Sequence, residues 1–178
     1  MSLRPIAFDD MQVRCHHLWE KQWLLLTAGD YAKHRFNAMT VGWGALGTMW
    51  GKPYAQVVVR PCRYTFEFMN QFDTFTLCGF PESYRAALQY LGSRSGRAGD
   101  KLAEAGLKPG PSTVVAAPSY AGANLIFECR KMYWQDIDPA HFVDPALERN
   151  YPQKDYHRVY FGEIVALLAA SPVPACTG

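Results

Sequence analysis

What the 178-residue chain lacks narrows it first. It carries no large excess of either charge: 18 Lys and Arg face 16 Asp and Glu, a formal +2 at pH 7. A field that weak does not hold DNA, RNA or an anionic membrane surface, so neither nucleic acid nor membrane is an expected partner. No apolar stretch approaches the length of a bilayer span, and the run around Val165–Ala170 falls far short of it. Cys15, Cys62, Cys78, Cys129 and Cys176 are odd in number, form no CxxC pair, and follow no leader-like N-terminus. That pattern predicts reduced thiols in a cytoplasmic protein, with Cys78 and Cys129 buried as small apolar side chains. The Walker phosphate-loop pattern is absent, as are internal repeats and any strand–helix–strand rhythm. No metal is expected either, because adjacent His16 and His17 on a helix would point about 100° apart and could not share one ligating face.

What is present centres on Asn37–Thr65, where two strand-like runs are joined at Lys52-Pro53. The first half sets small and hydroxylated residues around Trp43, which lets backbone amides approach a flat ligand closely. The second half ends in Arg60 and Arg63, followed by Tyr64 and Thr65, and guanidinium forks match phosphate oxygens. An aromatic and glycine wall beside an anion clamp describes a phosphorylated aromatic cofactor. Gly42 to Gly47 also spell GxGxxG, but no helix follows to hold a pyrophosphate; a turn and then Val57, Val58 and Val59 come next. The dinucleotide fingerprint therefore does not apply.

Elsewhere, an acidic start at Asp9-Asp10 predicts one short helix before Gln22, and Trp23–Thr27 reads as a buried strand. Ala38–Thr48 and Tyr54–Arg60 are further strands. Arg63–Gln71 reads as a helix with Thr65 as a cap, and Pro81–Leu91 as a second helix. Strands are expected at Phe75–Cys78, Ala123–Trp134 and Tyr156–Leu168, the last with a bulge at Gly162. The glycine- and serine-rich Gly92–Lys101 can fold into a concave nest of amides backed by positive charge, a second candidate anion site. Six or seven strands with short helices between them point to one mainly β domain over residues 1–178, an antiparallel barrel that removes sheet edges.

Taken in order, WLLLTAGD, NAMTVGWGALG, VVVRPCRYT, GSRSGRAGDK, ECRKMYW and YHRVYFGEI resemble the flavin reductase-like family of FMN-binding split β-barrels, in particular its flavoredoxin-type branch. The resemblance covers nearly the whole chain. It implies a Greek-key antiparallel barrel that forms a homodimer and binds one FMN per subunit. By position, Met39, Thr40, Val41, Gly42 and Trp43 would line the flavin ring, with Asn37 also a cofactor contact. Arg60, Arg63, Tyr64 and Thr65 would face the ribityl chain and phosphate, and Ser95, Gly96 and Lys101 would close on the phosphate. Tyr156 and His157 would lie near the flavin face, with His157 the candidate catalytic side chain. Gly42 and Cys62 depart from the family's usual polar residues, and each removes a side-chain hydrogen bond.

The function this implies is an oxidoreductase in which hydride passes from NAD(P)H to bound flavin and electrons go on to an acceptor. An alternative is an FMN-containing electron carrier without nicotinamide activity that docks a protein partner through Trp134, Tyr156 and Tyr160. A split barrel holding another phosphorylated ring, such as pyridoxal phosphate, is a third reading.

Overall fold

Apolar residues at alternate positions, broken by turn-forming clusters, build a largely antiparallel β fold. The structure is a computed structural model and describes residues 3–170; Cys176 and the tail from Ser171, expected to be loose, lie outside the described residues. Ten strands occur in it: β1 (Leu3–Pro5), β2 (Leu24–Asp30), β3 (Arg35–Val41), β4 (Gly44–Met49), β5 (Lys52–Val59), β6 (Thr74–Gly79), β7 (Pro109–Gly110), β8 (Ser119–Tyr120), β9 (Leu125–Asp136) and β10 (Arg158–Ala170). The helices are α1 (Cys15–His17), continued by a wider turn over Leu18–Gln22, then α2 (Tyr64–Gln71), α3 (Arg85–Ser93) and α4 (Lys101–Glu104).

The main sheet runs β3-β2-β6-β9-β10-β5-β4, with β1 paired to β10. Val41 and Val57, from strands near opposite ends of that order, share one buried cluster with Leu26, Phe75, Phe127 and Tyr160. The sheet has therefore rolled around a single core, as a split barrel does. A second cluster on the outer face packs Leu25, Ala38 and Cys78 against Leu88 and Leu91 of α3. Being covered on both faces explains why β2 reads as an unbroken apolar run and not as an alternation.

The bulge expected at Gly162 is present: the β10–β9 register shifts between Phe161 and Gly162. A Cβ at Gly162 would lie 2.5 Å from the Phe75 ring, so a glycine lets β10 close over the core there.

Several local expectations need correction. The β4–β5 hairpin turns at Trp50-Gly51, both at positive φ (53° and 70°), while Lys52 and Pro53 already belong to β5. Paired left-handed residues match the twist of a two-residue hairpin, and Pro53 is tolerated within the strand. The N-terminal helix occupies Cys15–Gln22; Phe8–Asp10 is a separate 3-10 turn. Thr65 is not a cap: α2 starts after Arg63 without a side-chain cap, and the Thr65 hydroxyl accepts from Asn37 Nδ2 at 2.7 Å. Five of the six expected strands stand within a few residues of their places, whereas Ala38–Thr48, expected as one strand, is divided at Gly42-Trp43 into β3 and β4, and short β1, β7 and β8 were not anticipated.

Candidate functional site

Two adjoining cavities form one cleft along the end of β3. The first, about 320 Å³, is lined by Met39, Thr40, Val41, Gly42, Trp43, Val58, Arg60, Arg63 and His157. The second, about 140 Å³, is lined by Asn37, Met39, Cys62, Arg63, Tyr64, Thr65, Leu91, Gly92, Ser93, Arg94, Ser95, Gly96 and Lys101. Met39 and Arg63 line both and mark the junction. The cleft exists because β3 ends at Val41 and the chain crosses through Gly42-Trp43 to β4, leaving a step in the barrel rim.

At the wider end, the Trp43 ring is 48% exposed and its centroid stands 5.2 Å from that of His157. The Thr40 hydroxyl is turned away, donating to the Leu88 carbonyl at 2.5 Å, so at this position the backbone faces the cleft. His157 is buried, and its Nδ1 shares a hydrogen bond of 2.9 Å with the Tyr151 hydroxyl. Burial first, then the neighbouring Arg60 charge, push the imidazole down to about 4, so it is neutral at physiological pH. Arg60 pairs with Asp155 at 3.4 Å, donates to the Asn150 carbonyl at 2.7 Å, and lies over the Tyr151 ring. Its charge is thus already compensated, and it opens on the ring side of the cleft, away from the anion pocket.

The narrower end gathers the cationic side chains of Arg63 and Lys101. Lys101 is only 6% exposed, and its Nζ donates to the carbonyls of Leu91 (3.1 Å) and Arg94 (3.0 Å). Among the described residues, neither Lys101 nor Arg63 makes an ion pair. Burial, with the Arg63 charge as a second cause, pulls the Lys101 ammonium down to about 8. Two uncompensated cations beside a glycine-rich turn fit a phosphate. The turn must also come close: a Cβ at Gly96 would sit 2.1 Å from Asn37 Oδ1. A phosphorylated flavin, with its ring beside Trp43 and its phosphate between Arg63 and Lys101, suits this donor set.

Of the cofactor-binding and catalytic candidates named from the sequence, all but one line this cleft. Tyr156 does not: its hydroxyl donates to Glu148 and its ring packs on Tyr151 and Phe142. Tyr160, expected as a docking aromatic, is fully buried with its hydroxyl donating to Asn70 Oδ1, so it belongs to the core. Trp134 is half exposed beneath the Arg158 guanidinium. Sequence reasoning missed Val58 and Tyr151. Tyr151 follows an irregular 3-10 segment with no periodicity to flag it, whereas Arg94 lay inside a loop already marked as basic. Among the described residues, no cluster of His, Cys, Asp or Glu could hold a metal, and no helix is long and apolar enough to cross a membrane.

No curated protein matches the chain. Several solved structures share the fold. An FMN-binding domain of a flavin reductases-like enzyme from Shewanella baltica aligns with TM-score 0.66 at 17% identity, covering 94% of this chain and 77% of that one. The flavoredoxin of Desulfovibrio vulgaris (Miyazaki F) aligns with TM-score 0.66 at 20% identity, covering 93% and 78% respectively. An NADH:FAD oxidoreductase of Streptomyces globisporus aligns with TM-score 0.63 at 15% identity, covering 84% and 75%. Identities this low speak for the fold alone. The sequence model described as "Flavin reductase like domain" matches residues 20–174, and by that match, across a barrel whose rim carries the cleft just described, the chain belongs to the flavin reductase-like family.

Proposed function

We propose that the protein is an FMN-dependent oxidoreductase using NAD(P)H. The observation that carries this reading is the single cleft joining an exposed indole and free backbone at one end to two unpaired cations at the other. A bound flavin would supply the chemistry, accepting hydride from the nicotinamide and passing electrons to an acceptor.

The chain's own residues bind and orient. Arg63 and Lys101 hold the phosphate, while Met39 to Trp43 present main chain to the ring. The half-exposed Trp43 leaves that end open, so a nicotinamide can stack without a second nucleotide domain. His157, neutral in the working range, acts as a hydrogen-bonding group. Tyr151 engages its Nδ1, leaving Nε2 as the nitrogen for a ligand. The homodimer in the cytoplasm belongs to the same proposal; the exposed Trp50 and Tyr133 rings, 6.2 Å apart, support a second copy there, and light scattering at two protein concentrations tests it.

The test of function is the visible spectrum of the purified protein after FMN loading and dialysis, followed anaerobically as NADH and then NADPH is added. Retained flavin bands that bleach with a nicotinamide are expected. Bands that bleach only with dithionite would favour the electron carrier, and no retained flavin would refute a tightly held cofactor. Within this reading, Arg63→Ala removes a charge-assisted phosphate contact and is expected to weaken FMN binding by about 1.5–3 kcal/mol. An unchanged dissociation constant would sink the phosphate assignment.

A further inference from the structure

The walls of the anion pocket are residues 62–65 on one side and 91–96 on the other. Arg97, the next residue along, reaches back across from the second wall to the first. Its guanidinium pairs with Glu67 on α2, lies 3.5 Å from the Cys62 carbonyl, and sits 4.7 Å from the centre of the Tyr64 ring. An exposed ion pair alone is a weak tie, but three contacts here converge on one planar side chain.

Behind the pocket, Gly96 lies against Asn37 and Tyr64 so closely that an added Cβ would be 2.1 Å from Asn37 Oδ1 and 3.2 Å from the Tyr64 ring. Beyond this wall lies another cavity of about 420 Å³, with Phe36, Phe68 and Asp100 among its lining residues; Asn37, Tyr64, Gly96 and Lys101 line both spaces. Room for a nucleoside therefore exists next door, and what separates it from the phosphate is one layer of residues. A ligand ending in a single phosphate stops at the wall. A ligand continuing through a pyrophosphate toward that cavity meets the contact between the loop and α2.

We propose that Arg97, strapping the 92–101 loop to α2, makes the cleft a mononucleotide site that rejects a flavin dinucleotide. This rests on the flavin reading above. The test is fluorescence titration of FMN and FAD into the wild-type protein, Arg97→Ala and Glu67→Gln, with thermal melts to establish folding. Wild type is expected to hold FMN at least about thirtyfold more tightly than FAD, a gap set by the obstacle to FAD and not by added contacts to FMN. In Arg97→Ala the gap should narrow about tenfold through tighter FAD, with FMN changed by less than about threefold. Glu67→Gln, which keeps the shape and removes one partner, should narrow it less, and it decides the matter should Arg97→Ala fail to fold. FAD binding as tight as FMN in the wild type overturns the strap, as does an unchanged gap in a folded variant. If wild type binds neither flavin, the flavin reading itself falls, and the strap falls with it.

Discussion

Lys101→Met is expected to weaken FMN binding by about 1.5–3 kcal/mol, roughly one to two orders of magnitude in dissociation constant, without a comparable loss of stability. The Lys101 ammonium is buried with two carbonyls and no carboxylate, next to a second cation, Arg63. Burying a charge this way disfavours the empty protein and favours the one that holds an anion. Methionine keeps the length and apolar stem. It relieves the desolvation of the ammonium while stranding two carbonyl acceptors, effects that oppose each other. Isothermal titration should show the affinity fall, and urea unfolding of the free variant should show a change below about 1 kcal/mol. Full affinity in the variant would remove Lys101 from the phosphate site.

The same group gives the affinity a pH signature. In the free protein burial, and then the Arg63 charge, hold the Lys101 ammonium down at about 8, so below that pH it is already charged and phosphate binding needs no proton. Above it, binding must recharge the lysine, and the dissociation constant should rise with pH, by at most about tenfold per unit. At the acid end the phosphate loses its second charge near about pH 6, which also weakens the contact. For stability of the free protein the sign is opposite. The folded-state value is lowered, the unfolded chain holds the proton more tightly between about 8 and the ordinary lysine value, and stability rises across that window. Lys101→Met should flatten the alkaline limb of both profiles.

Arg60 and Arg63 show where sequence legibility ends. They look alike, three residues apart beside a proline, and both read as phosphate clamps. The structure separates them through Asp155, 95 positions away from Arg60, which only the paired β5 and β10 bring near. The long strands were legible because β-branched and alternating patterns are local, and so was the bulge at Gly162. Strand β1 was not: Leu3–Pro5 is extended only because β10 runs on to Ala170 and offers an edge to pair with. Thr65 likewise looked like a cap because its true partner, Asn37, is 28 residues distant. The basic, glycine-rich character of 92–101 was visible, but not that it encloses a lysine.

Glu128→Ala is expected to cost the largest share of stability, about 3 kcal/mol in urea unfolding. In the alternation of β9, Glu128 falls with Ile126, and it is only 1% exposed. Its carboxylate accepts from the backbone N–H groups of Thr113, Val114 and Val115, at 2.7, 2.7 and 3.2 Å, and from the Thr113 hydroxyl at 2.8 Å. Truncation takes the acceptor from four part-buried donors at once and empties the buried place of the side chain. Glu128→Gln should cost less, since one oxygen still accepts while the amide group opposes donors of its own kind. The loop that Glu128 anchors also binds the β2–β6 region: the Tyr31 N–H donates to the Ala116 carbonyl, and the Thr76 hydroxyl to the Pro118 carbonyl. Strand β2 in turn carries β3, and with it Met39 at the junction of the cleft. Because that path runs through intact strand pairing, the variant should bind FMN normally while folded and fail only by unfolding at lower urea. An unchanged urea midpoint would show that the carboxylate is not the anchor. Lost FMN affinity at full stability would place this loop closer to the ligand than β2 and β3 allow.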